Sequence, residues 1–140
     1  MVGAQHETQE AADLAMFVDG NGGASATHIQ SYGPAGFRVQ NTDYPHSILV
    51  SEQGVLPLEA STLESLSLDA LEPLLARTPR IEVLIVGTGS RLQAIPAPLK
   101  AALRAQGINS DAMDTGAACR TYTILQSEGR RAGAVLLLPQ

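Results

Sequence analysis

Hydrophobic and polar residues alternate in short runs through the first half of the chain and give way to longer aliphatic runs in the second. From Thr27, the stretches Thr27-His28-Ile29-Gln30-Ser31-Tyr32 and Phe37-Arg38-Val39-Gln40 have period two on either side of Gly33-Pro34-Ala35-Gly36, which predicts a β-hairpin. A third strand is predicted over 46–51 and a brief fourth over 55–58, with Gln53-Gly54 between them. These strands are expected to form one antiparallel unit. The segment 61–67 has its leucines on neither period and stays unassigned. Ser67 then offers an N-cap for a short helix over 68–76 with Leu71, Leu74 and Leu75 turned inward; Pro73 suits only its first turn, and Thr78-Pro79 ends it.

The run Ile81-Glu82-Val83-Leu84-Ile85-Val86 predicts a strand buried on both faces. After Gly87-Thr88-Gly89, a helix opens near Pro96 or Pro98 and closes at Gly107, with Leu99, Ala102 and Leu103 as its inner stripe. A strand over 108–113 follows. Asp114-Thr115 caps a second helix through Glu128, whose Ala118, Thr121, Tyr122 and Leu125 share one face; Gly129 closes it and 132–138 is the last strand. Strand and helix alternating through short connections predict parallel pairing, so the C-terminal half is a βαβαβ unit and the fold class is α/β.

Composition narrows the functional classes. A chain of 140 residues is one domain's worth, and 44% hydrophobic with 16% charged residues is a globular balance. Cys119 is the only cysteine, so neither an internal disulfide nor a multi-cysteine zinc site can form. The formal net charge of -5 argues against nucleic acid or an anionic membrane surface as partner. The sign is uneven: residues 1–70 hold nine acids and only Arg38, whereas 71–140 hold five acids and eight bases. No window is apolar enough for membrane insertion, and residues 1–26, polar and acidic apart from a short helical spacing over 10–17, are expected to be a flexible tail. A cytoplasmic location is expected.

Two places could carry chemistry. Gly87, Thr88 and Gly89 follow a strand and precede a helix, the position at which α/β folds bind ligands, although Leu92 stands where a dinucleotide fingerprint needs glycine and no P-loop lysine follows. A tight turn leaving a buried strand is the preferred reading. The run Asp114-Thr115-Gly116-Ala117-Ala118-Cys119-Arg120 is the more distinctive one. There Asp114 caps the helix, Gly116 keeps its first turn slim, and the helix dipole and Arg120 act on the Cys119 thiol. The wheel puts Cys119 beside Thr115 and Gln126, away from the core centre, and a packed, inert thiol is preferred. Thr115, Gly116, Cys119 and Arg120 are thus candidates for a small anion. No catalytic set, no metal site and no cofactor is read from the sequence. Tyr32, Phe37 and Tyr44 concentrate the aromatics in the hairpin region, where core packing is the default reading of the rings; Tyr32, Arg38 and Tyr44 are the candidates for contact with a protein partner.

Several motifs carry a resemblance. IEVLIVGTG over 81–89, MDTGAACRTYTIL over 113–125 and EGRRAGAVLLL over 128–138, with YGPAGFRV over 32–39 and HSILV over 46–50, resemble the family of mitochondrial complex I assembly factor 3 and its Mth-like relatives. The likeness spans about 27–138. It implies a three-layer single domain over 27–140 with a mixed sheet, and a non-enzymatic role in assembly or protein interaction. The family pattern often has a tryptophan after the strand matching 48–50, where this chain has Val55-Leu56-Pro57-Leu58.

Overall fold

The computed structural model describes residues 16–17 and 28–139; the tail expected over 1–26, and the helical spacing within it, otherwise lie outside the described residues. Among the described residues there are nine strands and three helices: β1 (Met16–Phe17), β2 (Ile29–Gly33), β3 (Gly36–Val39), β4 (Thr42–Tyr44), β5 (Ile48–Ser51), β6 (Gly54–Pro57), α1 (Leu68–Leu75), β7 (Val83–Gly87), α2 (Ala97–Ala105), β8 (Asn109–Met113), α3 (Thr115–Ser127) and β9 (Ala132–Leu136). Met16–Phe17, within the expected tail and at the end of its helical spacing, form a strand instead, paired antiparallel with β2.

The N-terminal strands do not make one unit. Strands β1 to β4 form a small antiparallel sheet in chain order, while β5 and β6 leave it for a five-stranded sheet of order β6-β5-β9-β7-β8. The reason lies in β5: all four of its residues are buried, which an outer hairpin could not provide and a position between β6 and β9 does. Strand β5 runs antiparallel to β9, whereas β7 runs parallel to both β8 and β9, so the large sheet is mixed.

Strand alternation sorts the core into two layers. Leu49, Leu84, Val86, Val135 and Leu137 face α1 and α2, joined by Leu71, Leu74, Leu99 and Leu103. Ile48, Val50, Ile85, Ala134 and Leu136 face the other way, onto α3 and the small sheet, through Ala118, Tyr122, Ile29 and Phe37. Each buried aliphatic or aromatic side chain contributes roughly 1.5 to 3 kcal/mol, so both layers are needed to hold the sheet between them. Leu63 and Leu66, in the unassigned segment, also fill the first layer.

The ends of the elements follow local rules. Ser67 accepts a hydrogen bond from Ala70 N at 3.2 Å, capping α1, and Pro73 sits further inside that helix than the first turn. Strand β4 was not expected from the pattern. It forms because Gln40 and Asn41 both take positive φ in a two-residue turn, which Asn tolerates well and which the Gln30 side chain braces by pairing with the Asn41 amide.

Candidate functional site

The two sequence-predicted spots meet. Strands β7 and β8 are neighbours, so the turn after Gly87 and the start of α3 share the rim at the carboxyl ends of the strands. The rim is stitched by the backbone: Thr88 N donates to Met113 O at 2.8 Å, Thr115 N to Gly89 O at 2.8 Å, and Leu137 N to Gly87 O at 3.1 Å. A Cβ on Gly87 would lie 3.0 Å from Ala118 Cβ and 3.1 Å from Thr115 Cα, so glycine is what lets α3 approach the end of β7.

The two threonine hydroxyls of the rim serve the fold. Thr115 Oγ1 donates to Leu137 O at 2.7 Å and accepts from Gly89 N at 2.8 Å, entirely buried. Thr88 Oγ1 lies 2.6 Å from Arg91 O and accepts from Gln93 N at 3.1 Å, which pins the start of the following loop. Both hydroxyls hold backbone and neither is free to act on a substrate.

The first turn of α3 is slim because a side chain fills it. Asp114 caps the helix, accepting from Ala117 N at 2.9 Å. A Cβ on Gly116 would collide with the Tyr32 hydroxyl and stand 2.9 Å from its Cζ. Tyr32 thus comes from the small sheet to lie on the helix, 7% exposed, and its hydroxyl accepts from Arg120 Nη1 at 3.2 Å.

Cys119 requires a correction. It does not project away from the core but is fully buried among the second-layer residues. The wheel assumed one covered face, whereas α3 packs against β7 and β9 on one side and β2 on another, so Thr115, Ala118, Cys119 and Tyr122 are all enclosed while Thr121 and Leu125 are only half-buried. Burial pushes the thiol up to about 12; Arg120 opposes this and the Asp114 carboxylate adds to it. The dipole and Arg120 therefore do not produce a reactive thiolate.

Arg38 and Tyr44 lie on opposite faces of the small sheet: Arg38 is opposite Asp43, whereas Tyr44 is opposite Phe37 and packs half-buried against the second layer. Arg38 Nη1 donates to Asp43 Oδ1 at 2.7 Å, and the Tyr44 ring meets His46 edge-on with centroids 6.2 Å apart. Among the described residues no three of His, Cys, Asp or Glu cluster as metal ligands, and no helix is long and apolar enough to cross a membrane.

Two of the candidate residues, Thr88 and Gly89, line a surface whose other walls the pattern did not show. Beside the Thr88-Gly89 turn runs a groove of about 390 Å³, lined among others by Ser61, Thr62, Glu64, Arg91, Gln93 and Leu138. The loop on its edge is exposed over 90–94 and presents Leu92, 66% exposed. The exposed loop was signalled by a lone leucine in Ser90-Arg91-Leu92-Gln93, but only the sheet brings 61–64 and 137–138 beside Arg91 and Gln93.

Comparison with known proteins agrees with the fold. The family described as "Protein of unknown function (DUF498/DUF598)" matches residues 29–137. Over 116 residues the chain is 32% identical to the NADH dehydrogenase (ubiquinone) 1 alpha subcomplex assembly factor 3 of Danio rerio, covering 83% of this chain and 67% of that protein. Among solved structures, an outer membrane protein from Bartonella henselae superposes with a TM-score of 0.75 at 31% identity, covering 83% of this chain and 98% of that one. A Bordetella pertussis protein described as a Mth938-like domain gives 0.71 at 26% identity, covering 87% and 92%. The resemblance read from the motifs holds, and with it the three-layer α/β architecture.

Proposed function

We propose, for a chain that belongs to the DUF498/DUF598 family of proteins of unknown function, a non-enzymatic role: an accessory module that binds a protein partner through the carboxyl rim of its large sheet. The observation that carries this is Leu92, two-thirds exposed on an exposed loop at the edge of the rim groove, beside threonines that are already engaged by backbone. A large aliphatic side chain held out beside a groove, with Arg91 next to it, has the make-up of an interface anchor. Catalysis would need a nucleophile, a base and an orienting group within reach of one another. Thr88 and Thr115 are committed to backbone, and the Cys119 thiol is buried and held protonated.

The zebrafish relative is named an assembly factor, which supports action by contact rather than turnover. Of the three candidate partner residues Arg38, paired with Asp43, stays on the outer face of the small sheet, whereas Tyr44 packs against the second layer and Tyr32 seats that sheet on α3.

Co-purification of the tagged protein from its native host tests the proposal. A stoichiometric protein partner is expected with the parent and lost with Leu92→Ser, while the thermal melt stays unchanged because Leu92 is outside both core layers. Truncating an interface anchor typically costs about 2 kcal/mol, roughly a thirtyfold loss of affinity. Recovery of a stoichiometric small molecule and no protein would contradict it.

A further inference from the structure

A second groove lies at the opposite end of the parallel strands. Its volume is about 440 Å³, within the range of small-molecule sites, and its lining includes Lys100 and Arg104 of α2, Asn109, Ser110 and Asp111 of β8, and Arg130 before β9. Val83 and Asn109 open β7 and β8, so this is the amino end of the strands, away from the rim where Leu92 stands.

Three features point to an anion. The lining holds three cations and one carboxylate in a chain whose formal net charge is -5, so the groove is a local reversal of the field. Lys100, Arg104 and Arg130 are exposed, and none is in an ion pair with a carboxylate among the described residues; the basic side chains that are paired there are Arg38, with Asp43, and Arg131, with Glu82. Glu82, whose carboxyl is held below its usual value by the hydrogen bond and charge of Arg131, feels Arg130 only as a smaller influence. Third, Ser110 is 7% exposed and its hydroxyl has no hydrogen-bond partner among the described residues, an uncommon state for a buried polar group.

The shape of the donor set narrows the anion. Lys100 and Arg104 stand one turn apart on α2, Arg130 comes from the loop after α3, and Ser110 comes from β8 on the face that Leu84 shares with α2. Donors from three separate elements match a tetrahedral oxyanion, which offers acceptors in several directions, better than a planar carboxylate, which one guanidinium can satisfy. We propose that this groove binds the phosphate group of a small molecule, with Lys100, Arg104 and Arg130 supplying charge and Ser110 a hydroxyl donor. Strand alternation over 130–131 suggests one paired and one solvated arginine and no anion site; Arg131 is the paired one, with Glu82, and the proposal departs from that reading at Arg130, which lines the groove together with α2.

The test is an amide NMR titration of the full chain with ribose 5-phosphate, run beside ribose and beside sodium chloride at matched ionic strength. Saturable shifts are expected at Asn109, Ser110, Asp111 and Arg130 with a midpoint on the order of 1 mM or lower, from the phosphate ester alone. Arg104→Ala with Arg130→Ala should weaken binding about tenfold or more while leaving the remaining spectrum in place, since both side chains are exposed. Lys100→Gln gives the same reading without touching either arginine. Equal shifts with sodium chloride, shifts with ribose alone, the absence of saturation, or variants that titrate like the parent would each overturn the proposal.

Discussion

Cys119 shows how a residue's chemistry is decided by what covers it. Next to Arg120 and in the second turn of α3, it has the neighbours of a reactive thiol, yet desolvation outweighs them and raises its pKa to about 12. Its reaction with a thiol reagent should be slow in the native protein at neutral pH and fast after unfolding. The same shift has a pH consequence. In the unfolded chain the thiol ionises near its ordinary value of 9.0, while in the folded chain it keeps its proton until about 12. Over that window the unfolded state binds fewer protons, so stability is full below pH 9 and falls as pH rises, by on the order of 1 kcal/mol per pH unit. Urea melts of the parent and of Cys119→Ala between pH 8 and about 10 should diverge in slope for this reason. Parallel pH profiles would show that the thiol is open to solvent. At this scale the sequence pointed to the residue and to a packed thiol but misplaced the side chain, because a helical wheel registers one buried face and α3 has two.

The helices were legible where a single side chain sets their limits. Ser67 and Asp114 cap α1 and α3, and Gly107 and Gly129 take positive φ after α2 and α3, each from a local signal that needs no tertiary partner. Replacing Asp114 with Ala should therefore lower stability by about 0.5 to 2 kcal/mol, read as a shift of the urea midpoint with the slope unchanged. An unmoved midpoint would remove the capping role. Strand β4 was hidden, since nothing in Gln40 announces the positive φ that its turn needs. The slim first turn of α3 was visible in Gly116-Ala117-Ala118, but what fills it is Tyr32, a residue 84 positions earlier in the chain than Gly116 and one that pattern reading gave to a core by default, and to a partner surface as the alternative, without showing which element it packs on.

At the scale of the whole molecule, the alternation of strands and helices was enough to read a C-terminal α/β half, and the motifs pointed to the family. The destination of the second hairpin was not legible, because a short aliphatic run such as Ile48-Leu49-Val50 suits either sheet until β9 is there to pair with it. Thr88 and Gly89 were candidates from the sequence, but the rest of the rim groove and the second groove escaped for the same reason: each is lined by residues from separate parts of the chain that only the large sheet brings together. The central claim is that the carboxyl rim works by contact, and a photo-crosslinking amino acid tests it most directly when placed at Leu92, with Ile124, 56% exposed on α3, as the control position. Irradiation in the native host should join position 92 to one protein and leave position 124 unlinked. Equal labelling from both positions, or none from position 92, would contradict the account.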